Sequence, residues 1–511
     1  MTGDSHLTSD SRGEAVTPRA PNVAHPEGNG GAPSDAFARL AAWLVDGGAK
    51  MPHSRLGPAP LAGVGLVANK SIPAGALVVA VPGHLIMLAA NHAPHAIVEH
   101  PAIAEARSSV PELHNGLPLM LALLHEAGKG EGSSFWPYLA TLPESIELPM
   151  GYDEVTREAL VGTSAADLLP RLDVVLRAAD ESIAAACASG VAGSVAECER
   201  TLSIESGKAN RDRWSRVYWA FAIVRSRAMV KELGAIGRHA GGHAVALIPL
   251  LDALNHEFYR APGGAPGVEV DHDTSWNERN GRLELRAWRR FRRGSEVLWE
   301  YGPKPNSLML LSYGFAVDAN PHDSVCIPLG VAAPQALQPD DDPAVGRRLE
   351  LLAIASQHFG DAHEPVMPAC LKLLPGRGSA VPLETLVRAR ILSRGADDVL
   401  LTKPSQRRVE ELLSGRPLVP TAREMAAHRL LLAAAENALG RFVSHGGDSS
   451  AAWAEDDALL AADRNGSAPL PAPLRMAVMV RRGERRILSD AIHTLGKDGI
   501  ASSSSAANSM Q

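Results

Sequence analysis

Leu247-Ile248-Pro249-Leu250-Leu251-Asp252-Ala253-Leu254-Asn255-His256 is an apolar run that ends abruptly in polar groups. A buried strand leading into Asp, Asn and His can hold donors and acceptors rigidly against a ligand. Read alone, the same polar end also fits Asn255 and His256 capping the strand and bonding local backbone. Downstream stands Glu300-Tyr301-Gly302-Pro303-Lys304-Pro305-Asn306-Ser307-Leu308-Met309-Leu310-Leu311-Ser312-Tyr313-Gly314-Phe315. Its two Tyr-Gly pairs each close a predicted element, so a phenol can enter a pocket while the backbone turns away at glycine. Taken singly, such tyrosines are more often core than catalyst.

Far upstream, the run from Gly63-Val64-Gly65-Leu66 to Val81-Pro82 is a β-rich stretch broken by Pro-Ala-Gly. It reads as strand, turn, strand. The Gly-x-Gly pair allows close backbone approach, but without a third glycine opening a helix it is no dinucleotide fingerprint. A metal site is the rival chemistry: His239 and His243 are four apart, with Asp252, His256 and Glu257 following. The Gly241-Gly242 pair weakens the helix that would align those histidines, so the expectation is no metal.

Composition mostly excludes. The 511 residues, 45% hydrophobic and 21% charged with net charge −7, describe a folded chain of roughly three domains. Mild acidity and no long basic block predict no nucleic-acid or membrane partner. Apolar stretches are too short to span a bilayer, and no secretory signal is visible at the N-terminus. Cys187, Cys198, Cys326 and Cys370 lack paired spacing, so neither a zinc cluster nor a disulfide framework is expected, and an intracellular, cytoplasmic setting is. Aromatic residues are scarce at 4%, yet 17 of the 22 lie between Phe135 and Phe315. That third of the chain is where chemistry is expected.

Along the chain, residues 1–36 read as a disordered tail of Gly, Ser, Pro and Asp, and 499–511 read likewise. A strand-rich zone precedes a helical zone at about 91–245. There Leu117, Met120, Leu121 and Leu124 keep helical spacing, as do Trp214, Val217, Tyr218 and Phe221 on a helix ending near Ser226-Arg227. Strand signals return between Ala244 and Pro328. From about Asp341 to Leu495 periodic Leu/Ala segments predict a helical bundle.

In this order the motifs resemble the split SET-domain protein methyltransferases related to the Rubisco large-subunit lysine methyltransferase and the actin-histidine methyltransferase. GVGLVANKSIPAGALVVAVP is similar to that family's first strands. SSFWPYLATLPESIELP (Ser133–Pro149) resembles its Trp/Tyr-Leu-Pro motif, and YWAFAIVRSRAM (Tyr218–Met229) its helix ending in Ser-Arg. Leu247–His256 resembles its Asp-x-x-Asn-His motif, and Tyr301–Phe315 its paired-tyrosine motif. AEDDALL (Ala454–Leu460) and LRMAVMVRRGERRIL (Leu474–Leu488) look like its helical substrate-binding lobe.

The resemblance implies an α+β fold: a SET-domain β-fold at 37–330, split by the helical insert, then an all-α substrate-binding lobe at 341–495. It implies S-adenosyl-L-methionine as cofactor, contacted by Ala62, Gly63, Val64, Gly65, Arg227, Asp252, Asn255, His256, Tyr313, Gly314 and Phe315. Arg227 would serve the carboxylate end, since an arginine fork matches a carboxylate. Tyr301 would be catalytic, and Ser226 and Tyr259 would line the substrate channel. The implied activity is protein-lysine N-methylation of a non-histone protein by a monomer. Histidine methylation, or a catalytically silent SET protein that only binds a partner, are the alternatives.

Overall fold

Val64-Gly65-Leu66-Val67-Ala68 carries apolar side chains on both faces, and such a strand must be covered on both sides. Its cover comes from distant parts of the chain. The computed structural model describes residues 35–59, 64–191, 213–233, 243–258, 274–337, 343–359, 370–375, 381–403, 405–414, 421–442 and 449–508.

Four small antiparallel sheets arise from strands interrupted by Gly, Pro and polar turns. β1 (Ser54–Pro58), β2 (Val64–Ala68) and β9 (Glu296–Val297) form one, with β2 central and Leu66 opposite Val297. β3 (Leu77–Pro82) pairs β8 (Arg282–Arg286), which also pairs β7 (Thr274–Asn277). β6 (His243–Leu247) lies between β4 (Met87–Leu88) and β5 (Met229–Glu232). β10 (Val325–Pro328) pairs β11 (Cys370–Leu373). The two strands nominated around Gly63–Pro82 are therefore not partners; each is paired by the chain some 200 residues on, Leu66 with Val297 and Val81 with Leu283.

Between β4 and β5 the chain is helical. Leu113–Gly128 buries Leu117, Met120, Leu121 and Leu124, the spacing that announced it. Ser164–Ala188 begins at a Thr163 cap whose hydroxyl accepts from the Ala166 N–H. Arg213–Arg227 packs Val217, Phe221 and Val224 inward.

Two apolar cores result. One joins the sheets to the helices between them, and also takes in Met476, Ala477, Val478 and Val480 from the helix Ala472–Asn508. The other gathers β10, β11 and the later helices, and takes Ile487, Leu488 and Ala491 from that same helix.

Several expectations need correcting. The helical insert does not run to about 245, because β5 returns at Met229: Met-Val places β-favouring side chains directly after the Arg227 helix end. The C-terminal zone is not all-α, since Cys370-Leu371-Lys372-Leu373, buried at every position but Lys372, forms a strand on β10. The last helix passes Gly499 and reaches Asn508, in a segment whose alanines favour helix. A disulfide joins Cys326 to Cys370 across β10–β11, 44 residues apart, a distance that sequence spacing does not flag. Among the described residues, no helix is long and apolar enough to cross a membrane.

Candidate active site

The cluster at the end of β6 is built around a strained turn. After Leu247 the chain passes through Leu250 at φ 79°, a left-handed conformation that a leucine adopts only when its surroundings impose it. Leu250, Leu251 and Leu254 are all buried, which supplies that constraint. The turn delivers Asp252, Asn255 and His256 in three directions.

Asn255 faces β2 and β9. Its Nδ2 donates to Glu296 Oε1 at 2.5 Å and more distantly to the Val64 carbonyl at 3.4 Å. A Cβ at Gly65 would lie 2.7 Å from Glu296 Oε1 and 3.0 Å from Asn255 Nδ2. Glycine at 65 is what permits this approach of strand backbone to the Asn255–Glu296 pair.

His256 faces Tyr301. The Tyr301 N–H donates to His256 Nδ1 at 3.1 Å, which puts the ring proton on Nε2. The His256 ring stands 5.1 Å from Tyr301 and 5.9 Å from Phe315 between centroids, while Tyr301 and Tyr313 are 4.7 Å apart. These four rings form one aromatic wall. Tyr301 Oη donates to the Leu254 carbonyl at 2.7 Å. Burial pushes the Tyr301 phenol up to about 12, so at neutral pH it is a neutral hydrogen-bonding group and no base.

Asp252 faces inward. Its side chain is 3% exposed. Tyr138 Oη donates to Asp252 Oδ2 at 2.6 Å, and Arg227 Nη1 donates to the Asp252 carbonyl at 2.8 Å. Burial raises the Asp252 carboxyl above its ordinary range, against the opposing pull of Arg227 and Tyr138. Arg227 Nε is buried with no protein partner.

The Tyr313 end is set by helix geometry. Asn306–Tyr313 is a helix whose C-cap, Gly314, sits at φ 80° and donates its N–H to Leu310 O. A Cβ there would come within 2.8 Å of the Glu147 carbonyl, so the turn that swings Phe315 back to the wall requires glycine.

The structure thus brings together Val64, Gly65, Arg227, Asp252, Asn255, His256, Tyr301, Tyr313, Gly314 and Phe315. Ser226 adjoins them, but its hydroxyl donates back to the Ala222 carbonyl at 2.7 Å and is spent within the helix. Ala62, Gly63 and Tyr259 lie outside the described residues, as does His239 of the rival metal reading. Among the described residues, no group of three or more His, Cys, Asp or Glu could hold a metal ion.

No protein-family model matches the chain. Curated proteins do. SET domain-containing protein 4 of Artemia parthenogenetica is 26% identical over 269 residues, 52% of this chain and 58% of that one. The actin-histidine N-methyltransferase of Xenopus tropicalis is 26% identical over 299 residues, 58% of this chain and 46% of its own. In the mouse, Mus musculus, the N-lysine methyltransferase SETD6 is 25% identical over 334 residues, 63% of this chain and 64% of its own. Among solved structures, the SET domain of LSMT bound to lysine and AdoHcy superposes with a TM-score of 0.62 at 18% identity, covering 91% of this chain and 92% of that one. The chain is similar in sequence to SET-domain methyltransferases and shares the fold of LSMT.

The chain spans about half the length of the curated relatives it first matches. Glu296 escapes a reading of sequence motifs, and Tyr138, although inside the Ser133–Pro149 motif, is not marked by it as a site residue. Glu296 sits in a β-strand beside apolar Val297, where an acidic residue facing inward is the one available signal. Tyr138 meets Asp252 across 114 residues, with nothing local to announce the pairing.

Proposed function

We propose that this protein is an S-adenosyl-L-methionine-dependent protein N-methyltransferase that methylates lysine on a non-histone protein. The observation that carries the reading is Tyr301: a buried neutral phenol, its proton committed to the Leu254 carbonyl, set in an aromatic wall beside the Arg227 and Asn255 polar groups. Relatives named as lysine and as histidine methyltransferases support the reaction class.

The residues present fit the cofactor. Arg227 keeps a buried, unpartnered Nε beside its engaged Nη1, a fork edge suited to a carboxylate. Gly65 lets the β2 backbone close on the Asn255–Glu296 pair, a cradle for the Asn255 amide that any Cβ would disrupt. S-adenosylmethionine, when bound, supplies an electrophilic methyl group. Arg227 and Asn255 would hold it, and the Tyr313–Phe315 turn would cover the site.

Tyr301 then acts by position. Because its proton is given to Leu254 O, the phenol oxygen retains lone pairs that can accept an N–H from an incoming amine. It aligns the nucleophile and meets positive charge as it develops on nitrogen. The apolar ring wall disfavours an ammonium group and so favours the neutral amine that must attack. We assign recognition of the protein substrate to the C-terminal helical segment, and take the protein to act as a monomer.

Gly65→Ala tests the cradle. The forced shift of Glu296 or Asn255 costs roughly 1–3 kcal/mol, so affinity for S-adenosylhomocysteine is expected to fall about 5- to 150-fold by calorimetry. The activity itself is tested by radiolabelled methyl transfer into lysate of the native organism, with mass spectrometry of the labelled residue. Label on lysine supports the assignment and label on histidine replaces it. No binding of S-adenosylhomocysteine at millimolar concentration would leave a partner-binding protein instead.

A further inference from the structure

Tyr138, Asp252 and Arg227 form a buried chain of contacts whose distances are uneven. Tyr138 Oη is 2.6 Å from Asp252 Oδ2, whereas Arg227 Nη1 is 3.8 Å from that same oxygen. The guanidinium instead makes its short contact, 2.8 Å, with the Asp252 backbone carbonyl. A buried carboxylate beside an arginine ordinarily draws it into a close bidentate pair. Here the tyrosine hydroxyl is bonded to the carboxylate oxygen that lies nearest Arg227 and so holds the carboxylate in a fixed orientation. Tyr138 is 2% exposed, on a helical turn at Trp136–Leu139, and belongs to the same apolar core as Leu254.

We propose that Tyr138 is a positioning residue: by holding the Asp252 carboxylate it keeps the Arg227 guanidinium from collapsing onto Asp252, and so keeps its remaining edge available to the carboxylate end of the cofactor. The proposal rests on the reading of Arg227 given above. It gives a purpose to the Nε that is buried without a protein partner, which in a closed ion pair would be satisfied. It also explains why the site tolerates a carboxylate next to an anion-binding arginine. The Asp252 carboxylate takes its short hydrogen bond from a neutral donor and meets Arg227 at 3.8 Å, outside hydrogen-bond range.

The test is a mutant cycle read by calorimetry. Tyr138→Phe keeps the ring and removes the hydroxyl. Loss of charge-assisted contacts worth roughly 1.5–3 kcal/mol lowers S-adenosylhomocysteine affinity about 10- to 150-fold. In an Arg227→Gln background the same change should have no further effect, because Tyr138 acts through Arg227. An additive loss in the double variant, or no loss in the single one, overturns the proposal. Competition by 5′-methylthioadenosine, which lacks the amino-acid end, adds a second discriminator: equal losses for both ligands indicate a general distortion of the pocket and refute the positioning role. Failure of the wild-type protein to bind S-adenosylhomocysteine at all refutes the cofactor reading itself, a distinguishable result.

Discussion

Tyr301→Phe is expected to lower kcat about 100- to 1,000-fold, the range for removal of one well-placed hydrogen-bonding group at a reacting centre. Affinity for S-adenosylhomocysteine should stay within about twofold, because the change touches a transition-state contact and not ground-state binding. The retained phenylalanine ring still packs on His256, Tyr313 and Phe315. The His256 bond is made by the Tyr301 backbone N–H and survives the substitution. What is lost is the oxygen on Leu254 O, leaving that carbonyl short of a partner at a stability cost of about 1 kcal/mol. Single-turnover rates with saturating cofactor separate the two effects. Unchanged turnover would remove Tyr301 from the chemistry altogether.

Glu484→Gln is expected to stabilise the fold, increasingly so as pH rises. Glu484 is 1% exposed on the last helix, where its Oε2 accepts from the Ser164 N–H at 2.8 Å and from Ser164 Oγ at 3.2 Å. Ser164 Oγ in turn accepts from the Cys326 N–H, so one carboxyl joins a helix start, strand β10 and the C-terminal helix. Glu484 Oε1 is buried without a partner. Burial pushes the Glu484 carboxyl well up, and the nearby Asp323 charge adds to the shift. Asp323 itself is pushed up to about 6 by burial.

For an acid whose folded pKa lies above its unfolded value, the penalty is absent below the unfolded pKa. It grows with pH until the folded pKa is passed. For Asp323, a rise from 3.8 to about 6 corresponds to roughly 3 kcal/mol lost across that window. For Glu484 the window opens near its unfolded value of 4.5 and extends upward. The midpoint difference between Glu484→Gln and wild type should be near zero at pH 4.5 and several degrees by pH 7.5, measured by thermal unfolding. Taking the difference cancels the half-buried histidines His92, His125 and His322, whose lowered pKa values give the opposite pH trend. A pH-independent difference would contradict the assignment of a raised Glu484 carboxyl.

Much of the site was legible because its motifs are contiguous. The apolar run from Leu247 to Leu254 reads as a strand, but β6 ends at Leu247 and the run continues as a buried turn through Leu250; its break into Asp252, Asn255 and His256 still marks where polar groups are presented. The Tyr301 and Tyr313 pairs carry their own turn glycines. The helices Leu113–Gly128 and Arg213–Arg227 are written in the spacing of their buried leucines and aromatics. The illegible part consists of pairings between distant segments. Nothing local to Val64-Gly65-Leu66 says that β9 will cover it, and nothing near Tyr138 points to Asp252. The Cys326–Cys370 bond and strand β11 are illegible for the same reason: a two-strand pairing in a leucine-rich helical context leaves only a four-residue strand as its trace. The last helix was foreseen, but not that its two halves enter different cores.

The pairing of β2 with β9 bears on how the chain is made. Asn255 reaches Val64 across 191 residues, and Leu66 waits still longer for Val297. On the ribosome β2 therefore emerges with β1 beside it and its other edge unpaired while more than two hundred further residues are synthesised. An apolar strand with an open edge is a template for illicit pairing, so this interval is the chain's most hazardous for aggregation. Closing so large a loop before any contact rewards it also makes the β2–β9 seam a slow, late event. The Asn255–Glu296 constellation of the candidate site matures only after the strands that flank it have met.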